Sequence, residues 1–213
     1  MDYYPIYLNL QGRPCVVVGG GQVAEGKVRG LLAAGAQVLV IAPELAPALE
    51  QLGGEARLTH LARAYRAGDL AGAFLVVSAT DDSSVNEAVW LEAGQRGQLV
   101  NVVDDTPHCN FIAPAVVRQG DLVVAISTSG KAPALAVRLK EQIAQLIGPE
   151  HARFLELAGS LRNRLAALRP SFAARRALWY QLVDSDVLDL LRQGDEARAR
   201  QRMTEIMGVG PEG

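Results

Sequence analysis

Three consecutive glycines, Gly19-Gly20-Gly21, follow the apolar run 14–18 (PCVVV) and precede a stretch, 22–34, in which Val23, Ala24, Lys27, Leu31 and Ala34 recur at helical intervals. A buried strand that turns sharply into a helix fits this order best. The run Gly19-Gly20-Gly21-Gln22-Val23-Ala24 satisfies G-x-G-x-x-A, and the strand–turn–helix context gives that pattern its weight. Gly19 permits the tight turn, Gly21 lets a pyrophosphate approach the backbone, and Ala24 lets the helix sit close to the sheet. The start of the helix adds free N–H groups and partial positive charge. A nucleotide is the expected ligand, and a ligand-free glycine turn is the competing reading.

The alternation continues. Gly35 stands where a helix C-terminal glycine belongs. Strands are expected at 37–42, 57–62, 73–79 and 99–103, with helices at 44–52 and 82–95. This order predicts an α/β domain: a Rossmann-like parallel sheet with helices on both faces. After residue 111 the pattern changes. Runs 111–118 and 122–128, separated by the turn residues Arg118-Gln119-Gly120-Asp121, predict an antiparallel pair, followed by a helix over 133–147. From Gly148-Pro149 onward the chain reads as helical. The expected division is 1–113 for nucleotide binding, 114–148 for a small α+β region, and 149–213 for an all-helical domain.

Composition excludes several classes. A chain of 213 residues that is 49% hydrophobic can bury a sizeable core. A net charge of −2 gives no electrostatic reason to expect nucleic acid. There is no long apolar run to span a membrane, and the N-terminus lacks the basic region and cleavage site of a signal peptide. Two cysteines, Cys15 and Cys109, are too few for a disulfide framework, so the cytoplasm is the expected compartment. Cys15 reads as a core residue, and nothing activates Cys109 as a nucleophile. His60, His108 and His151 form no metal-ligand pattern and read as surface residues.

Ligands of open α/β sheets lie beyond the carboxyl ends of the strands, and the polar residues expected there each carry two readings. Glu44 is either the ribose-binding acid after the second strand or a solvated acid on the next helix. No arginine follows directly to hold a 2′-phosphate, which favours NAD over NADP. Asp81 or Asp82 is a helix cap. Asp104, at the end of the 99–103 strand, is either a proton acceptor or part of a solvated turn. Ser127, Thr128, Ser129 and Lys131 either bind a carboxylate at a helix start or merely cap it.

Together the segments PIYLNL, VVVGGGQVAEGKV, SATDDSSVN, VNVVDDTPHCNFIAPA and LVVAISTSGKAPALAVRLK resemble the precorrin-2 dehydrogenase and sirohydrochlorin ferrochelatase family, including one module of the fused sirohaem synthases. The resemblance is near collinear from residue 3 to about 147 and looser beyond. It implies an intertwined homodimer in which 114–148 is the dimerisation region. It also implies NAD-dependent oxidation of the tetrapyrrole precorrin-2 to sirohydrochlorin, with ferrous iron as a further substrate in some members. Carried over by position, it makes Asp104 the essential aspartate and Gly21, Gln22, Val23, Pro43 and Glu44 the nucleotide contacts, with Thr80 and Asn101 on the same rim. Thr128 stands where fused enzymes can carry a phosphorylatable serine. The end of the chain near residue 213 implies that the methyltransferase module is absent. The alternative reading is an NAD-sensing Rossmann module without catalysis.

Overall fold

The architecture comes from a computed structural model that describes residues 3–54, 56–169 and 171–211. Its chain divides into two compact units, Met1–Ala113 and Pro114–Gly213.

The first unit is built on five strands: β1 (Pro14–Val18), β2 (Gln37–Ala42), β3 (Leu58–Ala62), β4 (Leu75–Ser78) and β5 (Leu99–Val102). All pair in parallel, in the order β3-β2-β1-β4-β5. The chain runs outward from β1 to β3, returns, and runs outward again from β4 to β5. The order therefore reverses between β1 and β4, where open sheets of this kind take their ligands.

Alternate strand residues serve opposite faces. Cys15, Val17, Val38 and Val40 join one core with Ala24, Val28, Leu31 and Leu32 of helix α1 (Gln22–Ala33). Val16, Val18, Ile41 and Val76 join the other with Val89 and Ala93 of helix α3 (Ser83–Gln95). Helices cover both faces, so these strands are apolar along their length rather than alternating. Helix α1 ends as expected. Gly35 has φ +82°, and the amides of Gly35 and Ala36 donate to Leu32 and Leu31 at 2.9 and 3.0 Å, which closes a Schellman cap.

The helix expected over 44–52 is shorter. Only α2 (Pro47–Glu50) and a 3-10 turn (Gln51–Gly54) form. Pro47 can start a helix but not continue one, and the segment before it is tied to the glycine turn by the Ala46 amide, 2.7 Å from the Gly20 carbonyl.

The second unit opens with an antiparallel hairpin, β6 (Ala115–Gln119) and β7 (Leu122–Ile126). Its two-residue turn places Gly120 at φ +57°, which the first central position of such a turn requires. Helices α4 (Pro133–Leu146), α5 (Pro149–Leu168), α6 (Phe172–Val183), α7 (Val187–Arg192) and α8 (Glu196–Met207) follow. Leu157, Leu161 and Leu165 form one buried stripe of α5 and pack with Leu182, Leu190 and Met203. Arg153 grips Glu196 of α8 through two nitrogens, at 2.8 and 2.6 Å. With Arg153 and Arg200 donating to it, the Glu196 carboxyl is held at about 2. Among the described residues, no helix is long and apolar enough to cross a membrane.

Candidate nucleotide-binding site

A cleft of about 610 Å³ opens at the carboxyl edge of the sheet where the strand order reverses. Gly19, Gly20 and Gly21 form its floor, Pro43 and Glu44 the wall beyond β2, Tyr65 a further wall, and Thr80 to Asp82 the wall beyond β4.

The three glycines are glycines for different reasons. Gly19 has φ +118°, and a Cβ there would lie 2.2 Å from the Ala79 carbonyl oxygen. At Gly20 a Cβ would lie 2.0 Å from the Glu44 carbonyl oxygen. Both are therefore required by the protein's own packing. Gly21 is not. It is the N-cap of α1 at φ −80°, ψ −174°, which any residue adopts, and a Cβ there would meet nothing within 4 Å. What Gly21 leaves open is space outside the protein, at the start of a helix with no side-chain cap. Gln22 and Val23 are exposed in that first turn, while Ala24 is fully buried. The cradle fits a dinucleotide pyrophosphate: the backbone can be approached closely, the first turn of the helix has no side-chain cap on its amides, and the helix supplies partial positive charge.

The wall beyond β4 is fixed from behind. Asn86 donates to the Thr80 carbonyl at 3.1 Å and accepts from the Ser78 hydroxyl at 2.7 Å. Asp82 is the α3 cap, accepting from the Ser84 and Val85 amides at 2.9 and 3.3 Å and from the Ser84 hydroxyl at 2.6 Å. The Ser84 hydroxyl and these amides hold its carboxyl below the usual range. Asp81 lines the cleft. Glu44 is exposed just past β2, where a carboxylate can accept from ribose hydroxyls.

Asn101 is not on the rim. It is 8% exposed, and its amide donates to Cys109 Sγ at 3.3 Å and to the Phe111 carbonyl at 3.1 Å. The chain after β5 folds back along that strand, and Asn101 is used to hold the return. Asp104 lies two residues beyond β5, exposed, with φ +61°. It is not among the residues lining the cleft, although β5 is the neighbour of β4.

The histidines are not bare surface residues. His60 Nε2 lies 2.9 Å from the Ala42 carbonyl oxygen, His108 Nδ1 lies 2.7 Å from Asp105 Oδ2, and His151 Nδ1 accepts from the Gly148 amide at 3.2 Å. Both cysteines are buried. Burial pushes the Cys15 thiol up to about 11 and also raises that of Cys109, so neither is poised as a nucleophile.

In the second unit, the segment before α4 is a tight turn. Ser127 Oγ accepts from the Ser129 amide at 3.0 Å, and Thr128 Oγ1 accepts from the Ala132 amide at 3.2 Å. Ser129 and Gly130 have φ +53° and +77°, and Lys131 is exposed. The Ser127 and Thr128 hydroxyl oxygens thus serve the turn itself.

Sequence reasoning missed Gly20, Tyr65 and Ala46. Gly20 was visible as a third glycine in a motif that needs only two. Tyr65 lies in an irregular connection that carries no periodic signal.

Comparison with known proteins agrees with this geometry. Residues 6–115 match the family NAD_binding_7, described as "Putative NAD(P)-binding". Residues 119–146 match "Sirohaem biosynthesis protein central", and 150–207 match "Sirohaem synthase dimerisation region". That dimerisation match falls on the helices rather than on 114–148. The chain is 44% identical over 214 residues to the siroheme synthase of Photobacterium profundum, covering 100% of this chain and 46% of that protein. It is 40% identical over 210 residues to that of Chromobacterium violaceum, covering 99% and 45%. It thus spans less than half the length of these relatives. Among solved structures, SirC, a precorrin-2 dehydrogenase, superposes with a TM-score of 0.78 at 27% identity, covering 95% of this chain and 100% of SirC. The chain belongs to the NAD(P)-binding sirohaem-biosynthesis family that includes the siroheme synthases and the precorrin-2 dehydrogenase SirC.

Proposed function

We propose that this chain is an NAD-dependent dehydrogenase that oxidises precorrin-2 to sirohydrochlorin, and that it works as a homodimer. The observation that carries the reading is the open cradle at Gly21, at the switch point of a sheet whose edge strand β5 is followed two residues on by Asp104. The likeness to SirC over 95% of the chain supports the substrate.

When bound, the nicotinamide supplies the hydride acceptor. The residues of this chain do the rest. The backbone of Gly21, Gln22 and Val23 holds the pyrophosphate, and Gly19 keeps the turn tight enough to present it. Glu44 accepts from the ribose hydroxyls and repels a 2′-phosphate, which selects NAD over NADP. Pro43 and Thr80 shape the flanking walls. Asp104 takes the proton that leaves the macrocycle carbon as the adjacent hydride departs, so the substrate loses two electrons and two hydrogens in all. Being exposed, it returns that proton directly to water. Within the second unit, Lys131 is exposed next to the Ser127–Ser129 turn, and its ammonium suits a carboxylate.

Anaerobic incubation with precorrin-2 and NAD, followed by sirohydrochlorin absorbance, tests the reading. Turnover with the native chain and its loss in Asp104→Asn, with NAD affinity retained, are expected. A chain that binds NAD but forms no sirohydrochlorin overturns it in favour of a sensing module.

A further inference from the structure

The side chain of Asp104 carries no hydrogen bond among the described residues, so the position of its carboxylate depends on its backbone. That backbone is at φ +61°, in the left-handed region that aspartate enters more readily than most non-glycine residues but still at a cost. The surrounding turn decides how firmly it is kept there.

Besides backbone bonds, the turn is gripped by sulfur. Cys109 Sγ lies 3.1 Å from the carbonyl oxygen of Val102 and 3.2 Å from that of Asp105. These carbonyls bracket Asp104 in sequence. The same sulfur accepts from the Val102 amide and from Asn101 Nδ2, each at 3.3 Å. A thiol has one proton and acceptor lone pairs, so its S–H is shared between the two carbonyls while its lone pairs take the two N–H donors. The turn is also closed by the Asp105 amide on Val102, at 3.2 Å, and by the Cys109 amide on Thr106, at 3.2 Å. Those backbone bonds survive any substitution at 109, whereas the sulfur contacts do not. Cys109 is 6% exposed and Asn101 is 8% exposed, so water cannot stand in for either. Burial keeps the thiol protonated, as the shared S–H requires.

We propose that Cys109, seated by Asn101, is a positioning residue for catalysis: its thiol ties together the two carbonyls flanking Asp104 and so fixes the carboxylate at the end of β5. The inference rests on Asp104 being the proton acceptor. It gives the thiol a task that its burial in the core does not by itself explain.

The test uses the purified full chain with precorrin-2 and NAD, in four variants: Cys109→Ser, Cys109→Val, Asp104→Asn, and Asp104→Asn with Cys109→Val. Serine keeps a donor and an acceptor, while valine keeps apolar volume and neither. Misplacing a catalytic group by an ångström costs up to about 100-fold. Cys109→Val is therefore expected to lower kcat by about tenfold or more, with KM and Kd for NAD unchanged. Cys109→Ser should restore most of the rate. The double variant should be no slower than Asp104→Asn alone, because the thiol acts only through that carboxylate. A crystal structure of Cys109→Val should show residue 104 outside the left-handed region. Two results overturn the proposal: a folded Cys109→Val with native kcat, or serine and valine variants whose rates fall equally and in step with their melting temperatures. If Asp104→Asn turns over at the native rate, the reading of Asp104 has failed, and that single variant shows it without reference to the thiol.

Discussion

The hydroxyl of Tyr65 donates to Glu92 Oε2 at 2.5 Å, joining the connection after β3 to the middle of α3. Glu92 also accepts from the Gly68 amide at 2.8 Å, the Leu70 amide at 3.3 Å and Arg96 Nε at 2.9 Å. Its side chain is 11% exposed. Burial alone would raise its carboxyl, but the Tyr65 hydroxyl, the two amides and Arg96 together outweigh that and leave it lowered. The tyrosine is pushed up in turn, first by burial and then by the carboxylate. Because Tyr65 lines the cleft, this clasp sets one of its walls from behind.

Replacing Glu92 with glutamine should therefore destabilise the chain by about 1–3 kcal/mol at neutral pH, the range for hydrogen bonds to a buried charged group. The effect has a sign in pH. The folded carboxyl titrates below its ordinary value of 4.5, so the unfolded state takes up the proton first as pH falls. The stabilisation is complete above the unfolded value and is lost as pH drops through the folded one. Urea denaturation of native and Glu92→Gln chains should show a gap at pH 7 that narrows at a second pH chosen below 4.5. A gap of equal size at both would mean that the charge is not its source.

Gly20 and Gly21 should separate cleanly. Alanine at 20 would put Cβ 2.0 Å from the Glu44 carbonyl oxygen. Backbone must then move, at a cost of about 3 kcal/mol or more. Alanine at 21 meets no protein atom within 4 Å and costs under about 1 kcal/mol as a changed cap. Its methyl would enter the space proposed for the pyrophosphate, so NAD affinity should fall about tenfold or more. Thermal melts with NAD titrations distinguish the two. Native affinity in Gly21→Ala would remove the cradle from the site.

Glu44 should decide between NAD and NADP. A carboxylate bonded to sugar hydroxyls contributes about 1.5–3 kcal/mol, or about ten- to a hundredfold in affinity. Glu44→Ala should lose that much for NAD and relieve repulsion of the 2′-phosphate, so the ratio of kcat/KM values moves toward NADP. An unchanged ratio would make Glu44 the solvated acid that its sequence position equally allowed.

Much of this was legible in the sequence where local physics decides the outcome. The apolar runs of β1, β2 and β4 announced themselves because both faces of those strands are covered, and Gly35 marked the end of α1 because a left-handed residue is needed there. Asp82 was read as one of two possible caps, and it is the cap. What failed depended on distant pairing. The segment 44–52 has helical composition but is captured by the Gly20 carbonyl. Asn101 sits on a strand facing the rim in sequence, yet the return of the chain at Cys109 and Phe111 covers it. Neither partner lies in the window that a periodicity argument examines.

The backbone of Asp104 bears on how its role should be tested. At φ +61° an alanine pays the left-handed penalty of about 1–2 kcal/mol, and it lacks the short polar side chain that eases asparagine and aspartate into that region. Asp104→Ala should therefore lose stability as well as turnover, and the two losses would be confused. Asp104→Asn keeps the backbone tolerant of the turn and removes only the basic carboxylate, while Asp104→Gly removes the steric penalty altogether. Chemical denaturation should rank the glycine and asparagine variants above the alanine variant, while all three share the loss of sirohydrochlorin formation. If alanine proved as stable as glycine, residue 104 would not occupy the left-handed region in solution, and the geometry assigned to its carboxylate would have to be abandoned.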